Sequence, residues 1–272
     1  MSEEEWRNLP IQRWERGVLQ PSMDSLALEE PLELRVRSEG STEPISITMR
    51  SPGDDAALAV GFLHGEGMIR ERSQIADIEV DSGRVTVGLS EMGTFDIEHL
   101  KRHFYATSSC GVCGRASIEA ITANEPPEID RDYLTVSSDL LGSLADRLKS
   151  VQDTFEKTGG LHAAALFDRE GELLLACEDV GRHNAVDKVV GHLFLDDELP
   201  ASSSILLLSG RLAFELVQKA AMAGIPVVAG IGAASSLAVE LARQRGITLV
   251  GFLSEQRFNV YSGAWRLSSE SE

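Results

Sequence analysis

Short apolar runs separated by turn residues predict a mixed α/β protein, and the first half of the chain has the pattern of a small α+β unit. Strand patterns cover residues 32–36, 45–49, 78–80 and 85–89. An apolar helical pattern runs over residues 54–63, and Ser51 or Asp54 is placed to cap its start. The sequence Asp81-Ser82-Gly83 predicts a turn between the last two of these strands.

The second half of the chain alternates strands and helices more regularly. Apolar runs at residues 161–167 and 172–177 flank turn residues, which predicts a hairpin, and a helix pattern follows over residues 184–194. Three apolar strands then alternate with two helices that end near Met222 and Gln244; the strands cover residues 205–208, 226–229 and 248–252. Strands that are apolar on both faces indicate a parallel sheet with helices on both faces, and the hairpin makes this sheet mixed.

This pattern divides the chain into three parts. We expect an amino-terminal extension over residues 1–25, a small α+β subdomain over residues 26–135 and an α/β domain over residues 136–272. The connection before the α/β domain contains Pro126 and Pro127, and a residue that precedes a proline is disfavoured in a helix.

Composition and charge exclude several classes of protein. With 272 residues, of which 43% are hydrophobic, the chain can bury one large core or two modest ones. The formal net charge of −18 argues against nucleic acid as a partner, because binding to the phosphate backbone needs clustered Lys and Arg. No uncharged apolar run reaches the roughly 18 residues of a membrane span, and the acidic start lacks a secretory signal. The few cysteines favour a cytoplasmic location.

Two of the three cysteines, Cys110 and Cys113, lie two residues apart between glycines, and Arg115 follows them. A nearby cation lowers the pKa of a thiol and favours the nucleophilic thiolate. The pair fits a redox dithiol, a metal half-site or a persulfide-carrying nucleophile better than two incidental core residues. A closed zinc site needs four ligands, and the sequence has no second cysteine pair. Cys177 ends an apolar strand, so we expect it to be buried and inert.

Two glycine-containing loops follow predicted strands and lead into helices. They are Ser209-Gly210-Arg211 and the segment from Gly230 to Ser236, which contains Gly232 and Ser235. In such sheets, ligands bind at the carboxyl ends of the strands, where helix amino termini favour anions. We therefore expect a phosphate-bearing ligand there, with plain strand-to-helix turns as the alternative.

A dense polar cluster, residues 178–188, follows the second strand of the predicted hairpin. It contains His183, the residue of the cluster whose ordinary pKa allows proton transfer near neutrality. The cluster is predicted to lie at the same end of the sheet as the glycine loops. The alternative is a capped helix start, with Asp187 and Lys188 facing water.

The sequence His64-Gly65-Glu66, together with the cysteine pair, is similar to the His-x-Glu and Cys-x-x-Cys elements of zinc-dependent nucleoside deaminases. However, Ser109 stands where a proline usually precedes the first cysteine. The simpler interpretation of His64 is a residue at the carboxyl end of a helix, where it interacts favourably with the helix dipole.

Several motifs, taken together and in order from about residue 26 to residue 262, resemble the FdhD family, the sulfurtransferase accessory proteins of formate dehydrogenases. The motifs are Ser51-Pro52-Gly53-Asp54, Gly61-Phe62-Leu63-x-x-Glu66-Gly67, Cys110-Gly111-Val112-Cys113-Gly114, Asp179-x-Gly181-Arg182-His183-Asn184-Ala185-x-Asp187-Lys188, Ser209-Gly210-Arg211 and Ala229-Gly230-x-x-x-Ala233-x-Ser235-x-x-Ala238. Each motif alone is a weak signal of the family, whereas the whole set in this order is specific.

The resemblance implies a function in sulfur transfer. Members of this family accept sulfur from a cysteine desulfurase as a cysteine persulfide. They pass it to the molybdenum bis(molybdopterin guanine dinucleotide) cofactor, which serves formate dehydrogenase. By motif, Cys110 is expected to carry the persulfide and Cys113 to act as its partner. The alternatives are a zinc-dependent deaminase-like hydrolase and a noncatalytic chaperone that binds the cofactor.

The resemblance also implies a fold, an assembly and a cofactor site. The family has a cytidine-deaminase-like fold without deaminase activity and forms homodimers, and no permanently bound metal is expected. The segment that would hold the guanine dinucleotide follows the last predicted strand and consists of Phe252, Leu253, Ser254, Glu255, Gln256 and Arg257. Phe252 would stack on guanine or, alternatively, lie in the core.

Overall fold

The computed structural model describes residues 5–90, 126–131 and 133–268. The strands are β1 (Trp6–Glu15), β2 (Val18–Ala27), β3 (Glu30–Ser38), β4 (Ser41–Arg50), β5 (Ile75–Asp81), β6 (Arg84–Leu89), β7 (Val136–Ser137), β8 (His162–Phe167), β9 (Leu173–Asp179), β10 (Ile205–Leu208), β11 (Val227–Gly230), β12 (Thr248–Ser254), β13 (Arg257–Ser262) and β14 (Leu267–Ser268). The α-helices are α1 (Asp55–Gly65), α2 (Ser138–Lys149), α3 (Asp153–Thr158), α4 (Arg182–Leu195), α5 (Phe214–Met222) and α6 (Ser236–Arg245).

A six-stranded mixed sheet forms the centre of the carboxyl-terminal half, with the strand order β13-β12-β11-β10-β8-β9. Strands β10, β11 and β12 run parallel, whereas β8 pairs antiparallel with both β9 and β10. The predicted hairpin and the predicted parallel segment are thus both confirmed. Strand β13 was not predicted from the sequence; it pairs antiparallel with β12 at the edge of the sheet.

Helices cover both faces of this sheet, as predicted. On one face, α4, α5 and α6 pack on the sheet through apolar side chains such as Val186, Val217 and Leu241. On the other face, α2 contributes Leu141, Leu144 and Leu148 to a second apolar cluster. All four residues of β10 are buried, as its uninterrupted apolar sequence requires of a strand covered on both faces. The observed class is mixed α/β, and the likeness to cytidine deaminases stays a prediction.

The amino-terminal half contains a four-stranded sheet with the order β4-β3-β6-β5. Strand β3 buries Leu32, Leu34 and Val36 on one face, which is the alternation expected of a sheet with one face toward a core. Helix α1 packs against this face and also against α4 of the other half. Because α1 is covered from two sides, its apolar residues are buried nearly all around the helix.

The predicted amino-terminal extension contains a β-hairpin that the sequence analysis did not predict. Strands β1 and β2 pair antiparallel from Trp6 to Ala27. A two-residue turn joins them, and both of its residues, Arg16 and Gly17, have positive φ angles, as tight hairpin turns require. No helix in the parts of the chain that the structure describes combines the length and the apolar character needed to cross a membrane.

The start of α1 differs from the prediction that Ser51 or Asp54 caps it. Asp54 occupies the cap position, but its side chain accepts no hydrogen bond from the helix, and its backbone is left-handed with φ 56°. The Asp54 carboxylate instead lies 3.3 Å from Nε2 of His192. The Ser51 hydroxyl accepts a hydrogen bond from the Val180 amide, on the other half of the molecule.

Candidate functional site

The carboxyl ends of β9, β10, β11 and β12 meet at one edge of the six-stranded sheet, where the amino end of the antiparallel strand β8 lies between β10 and β9. The pairing places Asp179 at the end of β9 opposite His162, and it places Leu208 at the end of β10 opposite Gly230 of β11. We call this edge, with residues 179–183, 209–212 and 230–235 and Phe252, the loop edge. In open α/β sheets, ligands bind in this position, as predicted for the glycine loops.

The two glycine loops of the loop edge are hydrogen-bonded to each other. The Gly232 amide donates to the carbonyl of Gly210 (3.1 Å), and the Leu212 amide donates to the carbonyl of Ala233 (2.9 Å). A Cβ atom at Gly232 would lie 2.8 Å from the Gly210 carbonyl oxygen. Glycine at 232 is therefore required by the contact between the loops, whether or not a ligand approaches it.

The two predicted serines of these loops have local structural partners. The Ser235 hydroxyl accepts a hydrogen bond from the Ala238 amide and caps α6, a 10-residue helix. The Ser209 hydroxyl accepts a hydrogen bond from the Ala163 amide (2.9 Å) and ties the loop to β8. Arg211 is exposed at the same edge. The loops thus form a fixed frame that presents a cationic side chain to solvent.

Cationic and imidazole side chains gather beside the Gly210 loop. His162, at the start of β8, packs against this loop, because a Cβ atom at Gly210 would lie 3.3 Å from its Nδ1. Burial lowers the pKa of His162, and the nearby Arg182 and His183 lower it further. Within the described residues, Nε of Arg182 and Nε2 of His183 are buried without a hydrogen-bond partner. The Arg182 donor is available to an anion, whereas Nε2 of His183 faces a carboxylate.

Glu215, at the start of α5, faces His183. Its carboxylate lies 3.9 Å from Nε2 of that imidazole, and both side chains are partly exposed. The interaction with His183 is the largest cause that lowers the pKa of Glu215, to about 2. Glu215 therefore places a carboxylate beside the His183 imidazole at the loop edge.

The predicted cofactor segment, from Phe252 to Arg257, does not follow the last strand of the sheet. Strand β12 extends to Ser254, β13 begins at Arg257, and Glu255 and Gln256 form the exposed turn between them. The expectation that β12 closes the sheet was wrong, because the added strand β13 satisfies the edge of β12.

The two ends of this segment lie in different surroundings. The Phe252 amide donates to the carbonyl of Gly232 (3.0 Å), and 47% of the Phe252 side chain is exposed. Leu253 is buried in the cluster beneath α2. The turn at Glu255 approaches Gly142 of α2. The structure thus brings Phe252 to the loop edge, and its exposure fits a stacking role better than a core position.

A buried polar cluster supports the start of α4 beneath the loop edge. Asp179 is fully buried and accepts hydrogen bonds from the amides of Ser51 and Gly181 and from the side chain of Asn184. Lys188 Nζ lies 3.0 Å from Asp179 Oδ2. This network fixes Gly181, the residue immediately before Arg182 and His183.

The alternative interpretation of the polar cluster, in which Asp187 and Lys188 face water, is wrong. Both side chains are buried because α1 packs over α4. Asp187 Oδ1 lies 2.6 Å from Nζ of Lys219 on α5, and burial raises the pKa of Asp187. Each of these charges on α4 therefore has a buried partner of opposite charge.

The comparisons with known proteins agree with the sequence motifs. The family model described as the FdhD/NarQ family matches residues 27–268. The chain belongs to the FdhD/NarQ family. It is 48% identical over 263 residues to a protein named sulfur carrier protein FdhD from Streptomyces coelicolor, covering 93% of this chain and 92% of that protein.

Two further comparisons extend this FdhD/NarQ assignment. A sulfur carrier protein FdhD from Saccharolobus solfataricus is 44% identical over 245 residues, covering 90% of this chain and 91% of that protein. A crystal structure of a proposed formate dehydrogenase accessory protein from Desulfotalea psychrophila superposes with a TM-score of 0.77. It is 24% identical and covers 97% of this chain and 100% of that one, so it supports the fold.

Of the three cysteines of this FdhD/NarQ protein, Cys177 lies within the described residues. Cys110 and Cys113, the predicted catalytic pair, and the nearby Arg115 lie outside the described residues. Cys177 is 4% exposed, and burial raises the pKa of its thiol to about 12. The prediction that Cys177 is buried is confirmed, and its raised pKa disfavours a nucleophilic thiolate.

His64 is placed as the simpler interpretation predicted, in the last turn of α1. It is buried, its Nδ1 lies 3.1 Å from the Ile69 carbonyl oxygen, and its Nε2 lies 3.1 Å from the Met222 carbonyl oxygen. Both ring nitrogens thus face backbone oxygens. His64 is a structural residue between α1 and α5, and the geometry gives no support to a deaminase zinc site at this side chain.

Arg182 and His162 were not predicted as site residues from the sequence. Arg182 belongs to the dense polar cluster over residues 178–188, so its position beside His183 was a usable signal. His162 gave no local signal, because its approach to Gly210 depends on the antiparallel pairing of β8 with β10.

Proposed function

We propose that this protein is a sulfur carrier that accepts sulfur as a persulfide on Cys110 and passes it to the molybdenum bis(molybdopterin guanine dinucleotide) cofactor of formate dehydrogenase. The observation that carries the proposal is the identity of 44–48%, over nine-tenths of the chain, to proteins named sulfur carrier protein FdhD. The Cys110-Gly-Val-Cys113 motif supplies the thiol that a sulfur carrier needs.

Loading of sulfur is a thiol–persulfide exchange. The Cys110 thiolate attacks the terminal sulfur of the persulfide on a cysteine desulfurase; a new S–S bond forms on Cys110, the S–S bond of the donor breaks, and the donor leaves as a thiolate. Arg115, five residues after Cys110 in the sequence, supplies a positive charge that favours the attacking thiolate.

The second thiol supplies the bond and the electrons that the release of sulfur requires. The Cys113 thiolate attacks the inner sulfur of the Cys110 persulfide, which forms a Cys110–Cys113 disulfide and expels sulfide toward the molybdenum. The two electrons that reduce the persulfide sulfur to sulfide come from the two thiols, which become a disulfide. An external thiol then restores the dithiol for the next cycle.

The loop edge is suited to the guanine dinucleotide part of the cofactor. Its phosphates are attracted to Arg182, His183 and Arg211 and to the amide-rich start of α6. The exposed ring of Phe252 offers a face for a guanine base. We assign the nucleotide to this edge because it combines cationic donors with an exposed aromatic ring.

Intact-protein mass spectrometry tests the sulfur-carrier proposal. The purified protein is incubated with a cysteine desulfurase and cysteine, and the Cys110→Ala and Cys113→Ala variants are treated in parallel. We expect a mass gain of one sulfur atom that a reductant removes and that Cys110→Ala abolishes. A protein that gains no sulfur in any form, with the desulfurase shown to be active on another acceptor, is not a persulfide carrier.

A second experiment separates the carrier from a noncatalytic cofactor chaperone. Cys110→Ala should still bind the guanine dinucleotide cofactor and should fail to activate formate dehydrogenase. A variant that activates the dehydrogenase as well as the unchanged protein does would favour the chaperone. Light scattering tests the expected homodimer in the same preparations.

A further inference from the structure

Three residues with metal-ligating side chains converge where the two halves of the molecule meet. They are Asp54 at the start of α1, Cys177 on β9 and His192 on α4. One ligand atom of each lies within 4.8 Å of those of the other two, and Asp54 Oδ1 is 3.3 Å from His192 Nε2.

The spacing is suited to one tetrahedral ion. Bond lengths of about 2.0–2.3 Å to oxygen, nitrogen and sulfur place tetrahedral ligand atoms roughly 3.3–3.8 Å apart. The Asp54–His192 separation already has this value. The three side chains therefore need only small movements to bind one ion.

The backbone at Asp54 turns its carboxylate toward the other two ligands. Asp54 has a left-handed conformation with φ 56° and makes no cap hydrogen bond to α1. Aspartate tolerates this conformation better than most residues do. A right-handed start with a capping side chain would direct the carboxylate to the helix amides.

We propose that Asp54, Cys177 and His192 bind a zinc ion. A thiolate, an imidazole and a carboxylate form a ligand set that favours zinc over magnesium or calcium, and zinc needs no redox partner. Because the Asp54 side chain is half-exposed, water can occupy a fourth position. The family resemblance predicted no permanently bound metal, and the three residues, which are far apart along the chain, form no zinc motif.

Binding is balanced in charge and protons. The Cys177 thiol loses its proton to solvent as a zinc–sulfur bond forms, so the thiolate and the Asp54 carboxylate together neutralise the two charges of the ion. The nearby Lys188 ammonium is paired with Asp179 at 3.0 Å, which reduces its repulsion of a cation.

The proposed zinc site lies between the two halves of the molecule. Asp54 belongs to the amino-terminal half, whereas Cys177 and His192 belong to the six-stranded sheet and to the helix that covers it. An ion held by all three connects the start of α1 to β9 and α4. The proposed ion is therefore a structural metal that joins the two halves of the molecule. The proposal of this site does not depend on the sulfur-carrier proposal.

The test uses the Cys110→Ser/Cys113→Ser protein, because a Cys-x-x-Cys pair can itself bind zinc and would obscure the result. After dialysis against a chelator, the protein is titrated with zinc in competition with a metallochromic dye, and cobalt is substituted to report thiolate ligation by its charge-transfer absorption. We expect one equivalent of zinc and a cobalt–thiolate band. Adding Cys177→Ser should abolish the band, and adding Asp54→Asn should weaken zinc binding at least tenfold.

Asp196→Asn is the matched control, because Asp196 also acts electrostatically on His192 and lies outside the ligand group. This variant should keep the zinc equivalent. Far-UV circular dichroism reports whether each variant folds. Asp54→Asn changes a half-exposed side chain, so it tests zinc binding independently of a change at the buried Cys177. Zinc should raise the unfolding midpoint of the Cys110→Ser/Cys113→Ser protein and leave that of its Asp54→Asn derivative unchanged. No bound zinc in the folded Cys110→Ser/Cys113→Ser protein, or equal binding with Asp54→Asn, overturns the proposal.

Discussion

Lys188 Nζ lies 3.0 Å from Asp179 Oδ2, and the two side chains are 2% and 0% exposed. Lys188 also donates to the backbone carbonyls of Ser51 (3.2 Å) and Glu178 (3.3 Å). The pair therefore joins the end of β9, the start of α4 and the segment before α1. Through this network, the amino-terminal half helps to fix the loop edge.

Removing Lys188 should destabilise the protein strongly. Lys188→Met leaves the Asp179 carboxylate buried without its cation, which costs about 3–5 kcal/mol. Urea unfolding measures the loss. Lys149→Met, which removes an exposed lysine paired with Asp146, is the matched control and should leave the midpoint nearly unchanged. Adding Asp179→Asn to Lys188→Met should recover part of the loss; equal midpoints for the Lys188 and Lys149 variants would contradict this account.

A methyl group at Gly191 should disrupt the contact between α1 and α4. A Cβ atom there would lie 1.8 Å from the Ala57 carbonyl oxygen, so Gly191→Ala forces the helices apart and costs about 1–3 kcal/mol or more. Thermal and urea unfolding measure this cost. At Gly160, the nearest atom to an added Cβ is 3.6 Å away, so Gly160→Ala is the control. A Gly191→Ala protein as stable as Gly160→Ala would refute the close packing.

The Glu215–His183 pair should contribute a pH-dependent increment of stability. His183 lowers the pKa of Glu215 from 4.5 to about 2, so the pair stabilises the folded state above about pH 4.5. That stabilisation is lost as the pH falls from 4.5 toward 2. Urea unfolding at pH 5 and pH 3 should show a larger loss for the unchanged protein than for Glu215→Gln, with a small difference because both side chains are partly exposed. Identical losses would argue against the pair.

Arg182 should contribute to the binding of guanine nucleotides at the loop edge. Its partnerless buried Nε can donate to a phosphate, so Arg182→Gln should weaken the binding of GDP about tenfold, or about 1.4 kcal/mol. Isothermal titration calorimetry measures the change. Arg169→Gln alters an exposed arginine in the hairpin turn and is the control. Equal affinities for the two variants would place the nucleotide elsewhere.

Phe252 should contribute by stacking. Phe252→Ala is expected to lower the affinity for GDP by about 1–3 kcal/mol, whereas Phe252→Tyr keeps an aromatic face and should bind nearly as well as the unchanged protein. The side chain is half-exposed, so neither variant should unfold the protein. If the alanine and tyrosine variants bind alike, the ring is not a stacking platform.

The amino-acid sequence by itself determined the elements whose signals are local. Alternation in β3 and the uninterrupted apolar run of β10 predicted the strands and the sheet class. The glycine loops after β10 and β11 were predicted to share one edge, because the carboxyl ends of parallel strands meet there. These signals depend on side-chain period and turn chemistry within short stretches of chain.

The tertiary structure decided every feature that depends on contacts between distant segments. It buried Asp187 and Lys188 because α1 packs over α4, added β13 to the edge of β12, and brought His162 to Gly210. It also gathered Asp54, Cys177 and His192 from three separate elements. The physical reason is that periodicity specifies which face of an element is apolar, whereas the partner that covers this face is chosen by packing across the whole chain.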